Sequence, residues 1–511
     1  MDIKVIAQSG LPLVKKSEEA IRSGMIKKHG STTITPASIH KLGDSAVMLG
    51  RNEKERFVLV IADHRGVLPD GFHGEAMKLD DGGVALVCPL DAANAAALRR
   101  HFPWCAPRSL RRERATIGCG DRLGLATCGQ LQAVRTHQIL PVLAQQSMRE
   151  LAMTGRTFQQ VVDDATFMVF ECDYRDGYGA DGDHLKNIAD IDVALDAGMP
   201  MITLDLSEVM NAAAADWSAE KVNAAFEELP AALRKIVTAD YADQKFLLEG
   251  GMMVHISAQE ARRCAVMYTR ALDFASEVCE HLRARRGDEF DLEISIDETT
   301  APTLPEHHLF IVRELLRRGV EFISLAPRFV GEFQKAIDYI GDVAEFERQF
   351  AVHAAIADTY GGYRISVHSG SDKFSIFPVV GRLTNGRFHL KTAGTSWLEA
   401  VAVIAENDPG LYRRIHRCAV ENFREMLKLY HITADISRVP DPAALEDNEL
   451  PALLVMPEAR QLLHITYGPI LRGELRSEFF AAMHRFEKAY NDRLARHFEK
   501  HLRALGVPLR K

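Results

Sequence analysis

The stretch Asp291-Leu-Glu-Ile-Ser-Ile-Asp-Glu298 alternates polar and apolar side chains from Asp291 to Asp297. Successive side chains of a strand point to opposite faces, so Glu293, Ser295 and Asp297 share one face while Leu292, Ile294 and Ile296 share the other. In a barrel the outward face packs on helices and is apolar, which leaves the polar face for the interior. A carboxylate placed there needs a cation, a partner or a proton. A structural salt bridge meets that need as well as a functional site does, and both readings stand at this point.

Outward from this segment, short apolar runs alternate with amphipathic helix patterns, the signature of βα units around a parallel sheet. The runs are Ala115-Thr-Ile-Gly118, Ile139-Leu-Pro-Val-Leu-Ala144, Phe167-Met-Val-Phe170, Met199-Pro-Met-Ile-Thr-Leu204, Phe290 to Ile296, Val320-Glu-Phe-Ile-Ser-Leu325, Arg364-Ile-Ser-Val367 and Phe388-His-Leu-Lys391. Eight of them predict an α/β fold with a (β/α)8 TIM-barrel-like domain over residues 114–397; the run from Phe167 to Phe170 also reads as helix. Residues 1–113 form an N-terminal α/β extension, with strand patterns at Phe57–Ala62 and Gly83–Cys88 and a helix pattern from Asp91 to His101. The basic cluster Arg108-Ser-Leu-Arg-Arg-Glu-Arg114 marks a joint, read as a charged, solvated connector. A helical insert occupies about 219–286, and 398–511 form a helical C-terminal region broken by a loop at Val439–Asn448. A lid, a cap or a contact between copies in a homo-oligomer all suit these helices.

The chain has 511 residues, 47% hydrophobic, and a formal net charge of -8. That balance argues against nucleic-acid and anionic-membrane partners and favours a small molecule. Eight cysteines show no Cys-x-x-Cys pair, and they read as reduced, buried thiols. Met1-Asp-Ile-Lys-Val-Ile-Ala-Gln8 lacks the plan of a signal peptide, and no long apolar run follows, so a cytoplasmic location is expected.

Several strands end in chemistry-bearing residues, which in parallel α/β folds collect at the strand C-termini. Tyr363-Arg-Ile-Ser-Val-His-Ser-Gly-Ser-Asp-Lys-Phe374 runs into His368, Asp372 and Lys373; a solvated hairpin is the competing reading. Gly118-Cys-Gly-Asp-Arg-Leu-Gly124 brings up Arg122, whose fork suits a carboxylate or phosphate. In Ala144-Gln-Gln-Ser147, Gln145, Gln146 and Ser147 suit polyol hydroxyls, and Ser147 equally opens a helix as its N-cap. Gly177-Tyr-Gly-Ala-Asp-Gly-Asp-His-Leu-Lys186 sets Asp183 beside His184, a general base next to a metal ligand, or else a surface turn. Thr203 and Asp205 close Ile202-Thr-Leu-Asp205, and Arg328 and Glu332 follow Pro327. Lys373, Lys391 and Thr392 are candidates for a substrate carboxylate, with Arg122 and Arg328 as further substrate contacts. His353 sits inside a helix pattern and reads as structural, whereas His464 and Tyr467 suggest that the tail reaches back to the pocket.

As a set, Gly120-Asp-Arg-Leu-Gly-Leu-Ala-Thr127, Ala144–Ser147, Gly177–His184, Ile294-Ser-Ile-Asp-Glu-Thr299, His368–Phe374, Lys391-Thr-Ala-Gly-Thr395 and His464-Ile-Thr-Tyr-Gly468 resemble the tagaturonate epimerase family. The resemblance implies a barrel-like fold, interconversion of D-tagaturonate and D-fructuronate in hexuronate catabolism, and a divalent metal cation as cofactor. It implies an acid/base pair at Asp183 and Glu293 and metal ligands at His184 and His368, the third ligand coming from Asp297 or Glu332. One departure is that the family's Pro-x-His reads Cys128-Gly-Gln130 here; if that histidine touches substrate, Gln130 keeps a hydrogen bond and cannot titrate.

Inversion at C4 of a 2-ketose acid cannot use direct enolisation, because C4 lies β to the carbonyl. A retro-aldol route fits: a base takes the C4 hydroxyl proton, the C3–C4 bond opens, and the aldehyde turns before re-addition. The alternatives are a metal-dependent sugar aldolase or ketose isomerase on the same barrel, and a non-catalytic sugar-binding protein. Transient oxidation by a nicotinamide is disfavoured, since no Gly-x-Gly-x-x-Gly opens a helix with an acid twenty residues on.

Overall fold

The computed structural model describes residues 32–62, 67–78, 83–299 and 301–510; the stretch from Met1 to Gln8 lies outside them. Eight parallel strands close into a barrel: β1 Thr116–Gly120, β2 Leu140–Ser147, β3 Gly179–Leu185, β4 Met201–Asp205, β5 Asp291–Ile296, β6 Ser324–Pro327, β7 Arg364–Val367 and β8 Phe388–Lys391. Each pairs with the next, and β8 pairs with β1. Helices follow the strands, as the alternating pattern predicts, and Leu292, Ile294 and Ile296 of β5 join the apolar layer between barrel and helices.

Two expectations are corrected. The run Phe167–Phe170 lies in the helix Phe158–Glu171, opened by Thr157 and Gln160 in a reciprocal capping box; four apolar residues do not by themselves separate a strand from a buried helix face. The third strand is instead the glycine- and aspartate-rich segment from Gly179. Also, the insert is not wholly helical. Between helices Ala219–Glu227, Ala231–Asp240 and Ala258–Arg286 it carries an antiparallel hairpin, Gln244–Leu247 with Met253–Ile256.

Preceding the barrel, a six-stranded antiparallel sheet includes the predicted strands Arg56–Ala62 and Val84–Pro89. Val47, Val58, Val60 and Cys88 on one face pack with Leu98 of the helix Ala92–His101 and with Phe167 and Phe170 of the barrel layer. The basic segment after it is more than a solvated joint. Leu110 packs against Leu140, Val142 and Met201 at the N-terminal end of the barrel. Asp291 accepts from the backbone N–H of Leu110 at 2.6 Å, and Arg364 donates to the carbonyls of Leu110 and Glu113 at 2.9 and 2.8 Å. The barrel floor is thereby closed, and access is from the C-terminal mouth.

The C-terminal region is helical, ending in Glu487–Ala504, which lies against the helix Thr127–Val134. Gly129 permits that approach, since a Cβ there would meet the carbonyl oxygen of Asn491 at 2.9 Å. Among the described residues no helix is long and apolar enough to cross a membrane.

Candidate active site

The barrel interior is polar where most such barrels are packed with branched aliphatic side chains. Lys391, from β8, is buried among acids: its Nζ is 2.6 Å from Asp183 Oδ1, 3.0 Å from Asp181 Oδ2 and 3.0 Å from Glu293 Oε1. Thr203 donates to Asp181 and accepts from Lys391. Ser324 donates to Glu293 Oε2 at 2.6 Å. Burial alone would lower the Lys391 pKa, but the surrounding carboxylates outweigh it and hold the ammonium well above its ordinary value. Burial likewise opposes ionisation of Glu293 and Asp183, yet Lys391 and the imidazoles hold both well below the usual carboxylate range. Asp181 is the exception, pushed up to about 6 by burial.

Above this layer two imidazoles face each other, with ring centroids 4.7 Å apart. His184 Nδ1 is 2.7 Å from Asp183 Oδ1, and His368 Nε2 is 2.7 Å from Glu293 Oε1. Their other nitrogens turn to Asp297 Oδ1, at 3.9 Å from His184 Nε2 and 3.0 Å from His368 Nδ1. Ser295 orients Asp297 with a 2.6 Å hydrogen bond.

Two local distortions make this possible. The pairing of β3 with β4 slips after Gly182, and His184 adopts φ 56°; an unslipped strand would send adjacent Asp183 and His184 to opposite faces. In β2, Leu140 and Val142 point into the barrel floor, so strict alternation would bring Ala144 and Gln146 inward. A slip between Val142 and Ala144 reverses the phase, and Gln145 and Ser147 line the cleft instead. Gly118 makes room for Gln145, whose Oε1 lies 2.1 Å from where a Cβ would stand. Both amide atoms of Gln145 and of Gln146 are buried without a hydrogen-bond partner.

His184, Asp297 and His368 each offer one ligand atom within 4.8 Å of the others. The residues fit a divalent cation. Two imidazoles and a carboxylate are a borderline donor set, and each imidazole has a carboxylate on its far nitrogen, the usual support of a metal-bound histidine. Burial would lower the His368 pKa, yet Asp297 and Glu293 raise it to about 10.

The other predicted residues are distributed as follows. Ser147 caps the helix Met148–Thr154 in a box with Glu150 and also lines the cleft. Arg328 lines the cleft with its guanidinium on the Thr299 carbonyl. Glu332 lines the outer rim, 3.3 Å from His431 and outside the three-ligand group. Thr203 and Glu293 lie one layer below the cleft floor, while Asp183 and Lys391 line it. Arg122 does not face the cleft: it pairs with Glu150 at 2.9 Å, donates to the His464 carbonyl and stacks 3.8 Å above the Tyr467 ring. The tail therefore reaches the barrel by way of Arg122. Lys373 is spent on the carbonyls of Gln334, Ile337 and Ser371. Gln130 is buried in the helix after β1 and lines neither lobe of the cleft. His353 is structural, 2.8 Å from His308 in the helix layer.

Fold and site define a class, the barrel enzymes whose reacting groups stand in the loops at the carboxyl ends of the strands. Within it, the chain belongs to the tagaturonate epimerase family, whose model matches residues 35–505. A tagaturonate/fructuronate epimerase of Thermotoga maritima is 40% identical over 461 residues, 90% of this chain and 94% of that one. The native crystal structure of the fructuronate-tagaturonate epimerase UxaE from Cohnella laeviribosi is 44% identical, superposes with a TM-score of 0.90, and covers 96% of this chain and 100% of its own. A crystal structure of that enzyme with one glycerol matches equally, at 0.90 and 44%. The chain is thus an enzyme of the carbohydrate-epimerase class.

Proposed function

We propose that this enzyme interconverts D-tagaturonate and D-fructuronate by inverting C4, with a divalent cation held by His184, Asp297 and His368. The observation that carries the reading is the pairing of two ionised carboxylates, Asp183 and Glu293, with the two imidazoles of one donor set. When bound, the cation supplies a Lewis acid for substrate oxygens.

The protein's own groups do the rest. Asp183, on the cleft wall, takes the C4 hydroxyl proton as the C3–C4 bond opens to a C4 aldehyde and a C2–C3 enediolate. Lys391 bridges Asp183 and Glu293, so the proton is shared between them rather than lost to solvent. The aldehyde presents its other face, the bond re-forms, and the proton returns to the C4 oxygen. Gln145 and Ser147 offer neutral donors and acceptors to the substrate hydroxyls. Incubation of the enzyme with tagaturonate tests the proposal: fructuronate should appear, and its absence under metal-replete conditions would overturn it.

A further inference from the structure

We propose that Lys335 and Arg149 seat the carboxylate of the substrate; this rests on the ketose-acid reading above. Lys391 is neutralised by three carboxylates, Lys186 stands 3.4 Å from Asp205 and 3.1 Å from Glu208, and Arg122 and Lys373 are turned away. Arg328 lines only the outer lobe. Lys335 and Arg149 remain, and among the described residues neither forms an ion pair.

Both stand at the waist of the cleft, where its two lobes of about 370 and 380 Å³ meet, beside His368 and Asp297. Lys335 Nζ donates to Ser369 Oγ at 2.8 Å, and Ser369 directly follows His368. Arg149 donates from one guanidinium nitrogen to the Leu429 carbonyl at 3.4 Å, and its guanidinium lies 4.7 Å over the Tyr430 ring, both partners contributed by the C-terminal region. Burial lowers the Lys335 pKa and the positive charge of Arg149 lowers it further, outweighing the opposite pull of Glu150 and of Glu298, which also lines the waist. An anion seated beside both cations is attracted by each and relieves their mutual repulsion. A carboxylate suits the pair: the guanidinium fork takes its two oxygens, and the ammonium adds a point charge.

The placement has a mechanistic consequence. In ketose numbering the carboxylate is C6, so it travels with the aldehyde half while the C3–C4 bond is open. Anchored on Lys335 and Arg149, that half stays in the cleft until re-addition.

The test uses Lys335→Met and Arg149→Gln in the full-length enzyme, with calorimetric binding and turnover of tagaturonate against the neutral ketose tagatose. Each variant should weaken tagaturonate binding and kcat/KM by about 100-fold, the scale of a lost hydrogen bond to a charged group. The figures for tagatose should change by less than about twofold, and Lys335→Arg should recover part of the loss. Equal losses for both sugars, or an undiminished preference for the acid, overturn the anchor. A wild-type enzyme that binds tagaturonate without converting it overturns the epimerase reading instead, and the binding comparison still decides the anchor.

Discussion

Asp183 and Glu293 stand in the same relation to the site from opposite sides: each lies 2.7 Å from the far nitrogen of an imidazole, His184 and His368 respectively. Each fixes its ring's tautomer and orientation and leaves the other nitrogen facing Asp297. Glu293→Gln keeps the shape and removes the charge. Metal affinity, measured by chelator competition, should fall by about 10- to 100-fold, and an unchanged affinity would refute the supporting role.

Lys391 is the counter-charge of three carboxylates. Lys391→Met leaves them buried without it, and the free energy of urea unfolding should drop by about 3–5 kcal/mol. A drop below about 1 kcal/mol would mean that the acids are neutralised in another way.

Much of this was legible in the residues. β5, β7 and β8 carry clean strand patterns, and the imidazoles and acids at their ends stood out for their chemistry. β3 was hidden because glycine and aspartate are poor strand formers in general, and it became a strand only through its neighbours in the closed barrel. Gln145 and Gln146 read alike in the sequence, because the slip in β2 that turns only Gln145 to the cleft leaves no trace in the composition. Arg122 and Lys373 looked available until their partners, Glu150 and the backbone of the 334–337 segment, were known. Lys335 and Arg149 carry the opposite lesson, since the absence of a carboxylate ion-pair partner among the described residues is visible only in three dimensions.

The retro-aldol route leaves the hydrogen on C4 untouched. Tagaturonate deuterated at C4 should yield fructuronate with the label retained, as read by mass spectrometry, whereas loss to solvent would require proton abstraction at that carbon.

His353 is kept neutral by burial, its pKa lowered to about 4. Between its unfolded value near 6.5 and about 4, the unfolded chain takes up a proton that the folded chain refuses. Stability therefore falls as pH falls through that window, by up to about 1.4 kcal/mol per pH unit for this group. His353→Asn should flatten the dependence of unfolding free energy on pH between 6.5 and 4, and an unaltered slope would show that the ring is protonated in the fold.

The proposed reaction requires a cation at His184, Asp297 and His368. Carbon-13 NMR of tagaturonate with the enzyme, then with EDTA, then with a divalent metal restored, tests this most directly. Fructuronate should form, cease to form, and form again; conversion that continues at full rate in a protein stripped of metal would contradict it.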